Sequence, residues 1–139
     1  MNKENIINQL AELGFELQEV PEMGYVFEYD GMTVLYMPDD DEDFIRFGLP
    51  NIFEVTEENR PLVLEVANST NLTIKYAKVC VYGESVWAFY EYRGFGNEDT
   101  EALVEHSLLL LGATLNLFHR KIEGEDSVNV EESNDETTE

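Results

Sequence analysis

The chain has 139 residues, 43% of them hydrophobic and 12% aromatic, which suffices for a single domain with its own packed core. Its 30 acidic and 8 basic residues give a formal net charge of −22 at pH 7. A surface this acidic repels phosphate backbones and anionic lipids, so we expect neither nucleic acid nor a membrane as a partner.

Cysteine usage and the distribution of apolar residues indicate where such a chain works. Cys80 is the single cysteine, so no internal disulfide can form, as is common in a reducing compartment. The N-terminus lacks the apolar run of a signal peptide, and the leucine run 108–111 is interrupted by Gly112. We therefore expect no membrane-spanning segment and a cytoplasmic location.

The first half of the chain is predicted to form one helix followed by short strands. Four apolar residues at helical spacing predict a helix over 5–13: Ile6, Ile7, Leu10 and Leu13. Gly14 is typical of its end. Alternating apolar and polar residues predict four short strands: 15–18, 25–29, 33–37 and 44–47. Asp30-Gly31 is typical of a hairpin turn, and the acidic run DDDED at 39–43 is predicted to be a loop.

The middle of the chain is predicted to form a helix and then a long hairpin. The helix lies within 56–69, and it begins either at Thr56 as its N-cap or nearer Asn59, because Pro61 is tolerated only in the first turn. Two alternating segments predict the strands of the hairpin, 74–82 and 86–91, joined at Gly83-Glu84.

The C-terminal part is predicted to contain one long helix and an acidic tail. The helix covers 98–121, with Asn97 as its cap. From 123 to 139 there are eight acidic residues and no basic ones, which is typical of disorder. The chain therefore divides into a single domain over 1–122 and a disordered tail over 123–139. The order helix, three or four strands, helix, two strands, helix predicts the α+β class, an antiparallel sheet with helices packed on it.

The segment NSTNLTIKYAKVCVYGESVWAFYEYR at 68–93, followed by the leucine-rich helix, resembles the YbjN family and the wider type III secretion chaperone-like fold. The resemblance implies a small acidic domain that is commonly dimeric. Secretion chaperones of this fold bind extended client segments along hydrophobic patches. The family offers no catalytic residues to transfer.

Residues that could carry chemistry are few, and each has a simpler interpretation. Counting from Asp39, the sixth and twelfth positions of an EF-hand loop are Phe44 and Pro50, so that calcium loop is excluded. His106 and His119 with one cysteine are too few for a structural zinc site. Gly94-Phe95-Gly96 lacks the Lys-Ser/Thr pair of a phosphate loop. We therefore predict no catalytic, cofactor-binding or metal-binding residues, and no enzyme.

An excess of apolar side chains on the long hairpin and the last helix indicates an interface with another protein. The candidate interface residues are Tyr76, Trp87, Phe89, Leu108, Leu109, Leu111, Leu115 and Phe118. The leading hypothesis is a non-enzymatic protein-binding module that forms a homodimer, through either the sheet or the last helix. One alternative is a small-ligand or regulatory protein with an aromatic pocket formed by Tyr25, Tyr29, Tyr36 and Trp87. Another is a regulator whose acidic tail docks on a basic partner.

Overall fold

The computed structural model describes residues 2–124, which form three helices and six strands. In chain order these are α1 (Lys3–Glu12), β1 (Gln18–Val20), β2 (Gly24–Tyr29), β3 (Met32–Tyr36), β4 (Phe44–Glu54), α2 (Arg60–Thr73), β5 (Ala77–Tyr82), β6 (Ser85–Arg93) and α3 (Thr100–Ile122). The predicted α+β class and element order are confirmed. Residues 125–139, most of the predicted tail, lie outside the described residues.

The six strands form one antiparallel sheet in the order β1-β2-β3-β4-β6-β5. The first four strands pair in sequence order, and β4 then pairs with β6, which is distant in sequence. Asp30 and Gly31 join β2 to β3 with φ values of 51° and 80°, as the predicted two-residue hairpin turn requires. Residues that lie directly opposite one another form a row across five strands: Val26, Leu35, Gly48, Phe89 and Lys78.

One face of the sheet is covered by α3, and the core lies between them. Phe118 of α3 contacts Phe53 of β4, and His106 of α3 contacts Tyr90 of β6. Helices α1 and α2 both pack against α3. The largest fully buried side chains come from all three helices and the sheet: Tyr90, Phe47, Phe118, Ile6, Leu10, Ile45, Leu49, Leu108, Leu111, Val34, Val63 and Val66.

Helix α3 corrects the expectation that no segment could span a membrane. A window of 18 residues within this 23-residue helix has a mean hydropathy of 1.2, so by length and composition alone the helix could cross a bilayer. Such a helix is weak evidence for a membrane protein, because core helices pass the same criterion. In this structure Leu108, Leu111 and Phe118 of α3 are buried against the sheet and the other helices, which identifies it as the core helix of the domain.

Strand β4 is more than twice as long as the predicted strand over 44–47. Its pairing with β6 changes register between Leu49 and Phe53, which leaves extra residues bulged out of the ladder. Asn51 in this bulge has a φ of 53°. His119 of α3 donates a 3.0 Å hydrogen bond from Nε2 to the Ile52 carbonyl. This bond gives the carbonyl a partner where the pairing of β4 with β6 is interrupted.

Several predicted boundaries also differ from the structure. The first strand is Gln18–Val20 rather than 15–18, because Phe15 and Leu17 instead pack beside the core before the strand begins. Helix α2 continues to Thr73, so the hairpin strand begins at Ala77 rather than 74. Asp99, not Asn97, caps α3, since its carboxylate accepts hydrogen bonds from the N–H groups of Glu101 and Ala102.

Candidate functional site

The sheet face opposite α3 carries an apolar groove formed by strands and adjoining turns. We call this side of the sheet the open face. Side chains alternate along β6, so that Val86, Ala88 and Tyr90 are buried beneath the helices while Trp87 and Phe89 are half-buried on the open face. The groove has a volume of about 470 Å³ and is lined by Met23, Met37, Arg46, Lys78, Cys80, Val81, Tyr82, Trp87, Phe89 and Glu91.

Aromatic rings form the floor and one wall of the groove. Trp87 stacks on Phe89 with ring centroids 5.8 Å apart and ring planes 21° apart. Tyr82, which is 68% exposed, meets Trp87 edge to face at 5.8 Å. The Trp87 indole donates a 3.1 Å hydrogen bond to the Ser85 hydroxyl, which fixes the orientation of the ring. The groove therefore presents a preformed aromatic surface, the kind that anchors protein interfaces.

Gly48 allows the apolar side chains of the open face to close together. It lies in the central strand β4, and a Cβ atom built there would meet Met37 Sδ and two ring carbons of Phe89, all at 3.4 Å. A Cβ atom alone would therefore just touch Met37 and Phe89, and a longer side chain would have to displace them. Because the position is glycine, both residues lie directly over the sheet backbone.

A charged triad forms the other end of the groove. Glu91 Oε2 accepts a 2.9 Å hydrogen bond from Arg46 Nε, and Glu91 Oε1 lies 2.9 Å from Lys78 Nζ. Burial alone would raise the pKa of Glu91, but the hydrogen bonds and charges of Lys78 and Arg46 outweigh it and hold that pKa below its ordinary value. Glu91 therefore stays ionised at neutral pH, and the formal charges of the triad sum to one net positive charge on a strongly acidic protein.

The structure separates the predicted interface residues into four groups, the last of them buried. Trp87 and Phe89 lie on the open face, as described. Tyr76 and Leu109 are each 63% exposed, but on the helix-covered side, where Tyr76 packs its ring edge to face against His106 of α3. Leu115 is half-buried against the core.

Three of the predicted interface residues are corrected. Leu108, Leu111 and Phe118 are buried within the chain, with at most 2% of each side chain exposed, so they cannot contact a partner. The wide leucine stripe of the sequence is explained by the number of elements around α3. The helix contacts β4, β5 and β6 on one side and α1 and α2 on other sides, so these contacts cover most of its surface.

The proposed aromatic pocket is also corrected, because its four residues do not meet. Tyr25 and Tyr36 stack at 6.4 Å on the helix-covered side, whereas Trp87 lies on the open face. Tyr29 lies on the helix-covered side as well, edge to face with Phe15. Burial, with a smaller contribution from Tyr25, raises the pKa of Tyr36 to about 12, so this phenol stays neutral.

The acidic run 39–43 is a loop, as predicted, and its carboxylates bind the protein's own groups. Asp39 accepts from the Asp41 N–H, and Asp41 accepts from the Asp43 N–H, both at 3.0 Å. Arg93 Nε donates a 2.8 Å hydrogen bond to Asp41, and this contact holds the pKa of that carboxyl below its ordinary value. Within residues 2–124, no group of three or more His, Cys, Asp or Glu side chains is placed to hold a metal ion.

The remaining candidates from the sequence have structural partners. His106 shares a 3.0 Å hydrogen bond with the buried Tyr90 hydroxyl, and His119 bonds the β4 bulge. Cys80 is half-buried in the groove, beside its cross-strand partner Trp87. The loop around Gly96 donates its N–H groups to Glu98 of the same loop rather than to an anion.

Sequence reasoning missed most of the groove outside β6. Arg46 and Glu91 are 45 positions apart, and they meet only because β4 pairs with β6. Met37 and Gly48 join the groove through the pairing of β3 with β4. The alternation over 44–47 did place Arg46 on the other face of the strand from Ile45 and Phe47, and this was the one signal in the sequence that Arg46 faces away from the core.

Comparison with known proteins identifies the fold. No protein-family model matches the chain, and no curated protein matches it. A crystal structure of YbjN from E. coli, described as a proposed transcription regulator, matches with a TM-score of 0.63 over 87% of this chain and 92% of that chain. The chain has a YbjN-like fold. The two sequences are 14% identical, so the likeness extends to the fold alone and confirms the resemblance at that level.

Proposed function

We propose that this chain is a non-enzymatic protein-binding module of the cytoplasm, and that its binding site is the groove on the open face. The observation that carries the proposal is the stacked pair Trp87 and Phe89, half-buried beside Met37 over the central strands. Exposed aromatic and methionine side chains in a concave surface are typical of protein interfaces. A bound partner would complete the burial of this face.

The hydrogen bonds at the β5 edge of the sheet favour a partner that packs on the open face over one that adds a strand to the sheet. Strand β5 is an edge strand, and its backbone groups would ordinarily accept a further strand. At Val79 these groups are already used, because the Asn71 side chain accepts from the Val79 N–H at 2.7 Å and donates to its carbonyl at 3.0 Å. A strand added at this point of β5 would have to displace the Asn71 amide, which favours a partner that uses side-chain contacts on the open face.

The charge of the molecule defines the partner further. The net charge of −22 attracts basic proteins and repels acidic ones over about a Debye length of 8–10 Å. We expect a protein segment with apolar anchors for the aromatic floor and Lys or Arg residues in its flanks. A regulatory role, such as that described for YbjN, would act through protein contacts, because the acidic surface opposes direct contact with DNA.

The test is quantitative recovery of cellular partners on the immobilised full chain and two variants. Trp87→Gln removes the central ring of the groove, and Leu109→Gln changes an exposed leucine on the helix-covered side. We expect Trp87→Gln to lose at least about tenfold of a specific partner that the wild-type chain and Leu109→Gln both retain. Equal recovery on both variants, or a specific partner on none, would overturn the proposal.

A further inference from the structure

The groove on the open face differs in charge from the domain that carries it. Its charged lining residues are Arg46, Lys78 and Glu91, whose formal charges sum to one net positive charge. Residues 1–124 as a whole hold 23 acidic and 8 basic residues. An acidic segment of chain is therefore repelled less over this groove than over the average surface of the domain.

We propose that residues 125–139 of the same chain cover this groove, with Val128 and Val130 packed on the stacked rings of Trp87 and Phe89. The covered groove is closed to other proteins until a partner displaces the segment. Occupancy of the groove by the segment needs no partner, whereas its regulatory consequence rests on the function proposed above.

The two valines of the segment have the spacing that the stacked rings require. Val128 and Val130 are the only apolar residues within 125–139, and Asn129 separates them. In an extended segment their side chains point to the same side, about 6.5 Å apart. Trp87 and Phe89 are likewise two residues apart on one strand, and their ring centroids are 5.8 Å apart. Each valine can therefore pack on one ring.

The chain leaves the domain at the end of the sheet where these rings lie. Near the end of α3, Phe118 contacts Phe53 in the last turn of pairing of β4. Phe53 is the partner of Val86, so this end of the sheet is also the beginning of β6, where Trp87 lies. Fifteen further residues reach as far as about 50 Å when extended, several times the ~10 Å between packed layers.

The direction of the segment brings its carboxylates to the basic side chains of the groove. A segment that passes from Trp87 to Phe89 continues along β6 toward the triad of Glu91, Arg46 and Lys78. Two glutamates, 131 and 132, follow directly after the second valine. Their charges are attracted there, because the two cations of the triad outnumber its one carboxylate.

The covalent link to the domain makes even a weak contact effective. A segment joined by a few residues has an effective concentration of about 1 mM, so a dissociation constant of that size covers about half of the molecules. The same weakness lets a partner with its own apolar anchors displace the segment. The basic flanks expected of that partner are attracted to the acids of the released segment.

Cys80 provides the first test, because it is the only cysteine and the cross-strand partner of Trp87. In the full chain, Val128→Cys places a second thiol over Trp87, within reach of Cys80, whereas Asn129→Cys points its thiol away from the groove. We expect mild oxidation to form the internal disulfide at least about fivefold faster in Val128→Cys, although the two loops differ by one residue. Equal rates in the two variants would overturn the proposal.

Trp87 provides the second test, because it is the only tryptophan and its fluorescence reports the cover directly. Val128→Asn/Val130→Asn removes both apolar anchors and keeps every charge, and Thr137→Asn/Thr138→Asn is the matched control in the same segment. We expect acrylamide to quench Trp87 about twofold more strongly in the valine variant than in the wild-type chain and the control, since about half of the wild-type grooves are covered. Equal quenching in all three chains would overturn the proposal, and circular dichroism confirms that each is folded.

Recovery of partners separates this proposal from the function proposed above. The immobilised valine variant should recover about twofold more of a specific partner than the wild-type chain and the threonine control. If the disulfide and quenching results hold but no chain recovers a specific partner, the segment covers the groove and the proposed function is wrong. If all three chains recover a partner equally and quench equally, the proposed function stands and the segment does not cover the groove.

Discussion

Asn71 shows how one side chain can close the edge of a sheet. Its amide makes the two hydrogen bonds to Val79 that a neighbouring strand would otherwise supply, at 2.7 and 3.0 Å. The residue lies in the last turns of α2, which places the helix along the free side of β5. Because the amide carries both a donor and an acceptor, it satisfies the Val79 N–H and carbonyl together.

Replacement of Asn71 by alanine is expected to destabilise the domain and expose this edge. The variant leaves two backbone groups of β5 without their protein partner, so we expect the free energy of unfolding to fall by about 1–3 kcal/mol. The exposed edge should also increase aggregation on mild heating. Urea denaturation and light scattering measure the two effects.

Asn116→Ala is the matched control for Asn71, since Asn116 is an exposed asparagine within α3. We expect this control to change the free energy of unfolding by less than about 0.5 kcal/mol. If Asn71→Ala were as stable and as soluble as Asn116→Ala, the amide would have no part in closing the edge.

At the scale of elements, the loop between β6 and α3 is organised around one carboxylate. Glu98 accepts hydrogen bonds from the Phe95 N–H at 2.8 Å, the Gly96 N–H at 3.1 Å and the Tyr92 hydroxyl at 2.9 Å. The hydrogen bond from the Phe95 N–H is the largest of the effects that lower the pKa of Glu98 from 4.5. The ionised form therefore holds the end of β6 to the start of α3.

Glu98→Gln is expected to lower stability in a pH-dependent way. The folded-state pKa lies below the unfolded value of 4.5, so the stabilisation by Glu98 is complete above pH 4.5 and is lost as the pH falls through the folded-state pKa. We therefore expect the variant to melt lower than the wild-type chain at pH 7, with the difference shrinking in acid. Glu101→Gln, in the first turn of α3, removes the same charge without this network. A difference that did not depend on pH, or one equal for both variants, would contradict this role.

Local patterns predicted the elements whose signals are contained within them. The β2–β3 hairpin and the β5–β6 hairpin follow from alternation and from their turn residues. Strand β4 was predicted to end at 47, and the residues that follow, Gly48, Pro50 and Asn51, are of types that are common in loops. In the structure Gly48 lies under Met37 and Phe89, and Asn51 forms a bulge that α3 supports through His119. Those stabilising contacts are distant in sequence, so no local window contains them.

At the scale of the whole molecule, the sequence predicted that some apolar surface would remain exposed, but it did not predict where this surface would lie. It correctly gave an antiparallel sheet with helices, and Trp87 and Phe89 do line the open-face groove. It misassigned the leucines of α3, because the number of elements around a helix depends on tertiary packing.

The net charge makes the stability of the whole domain depend on ionic strength. With 30 acidic and 8 basic residues, repulsion between like charges outweighs attraction in a compact chain, and unfolding moves the charges apart. Among residues 2–124, ion pairs join Arg46 and Lys78 to Glu91, and Arg93 to Asp41. Screening of the repulsion should therefore outweigh the weakening of these pairs. We expect the melting temperature to rise by about 2–5 °C between low salt and about 0.5 M sodium chloride.

A chain shortened to residues 1–124 separates the contribution of the C-terminal segment to this salt effect. Residues 125–139 hold seven of the acidic residues and none of the basic ones. If their charge repels the folded domain, the shortened chain should melt higher than the full chain at low salt and gain less from added salt. If the two chains respond equally, the repulsion arises within the domain itself, and the segment contributes charge without destabilising the fold. A fall in melting temperature with salt in both chains would mean that the triad around Glu91 and the Arg93–Asp41 pair outweigh the general repulsion.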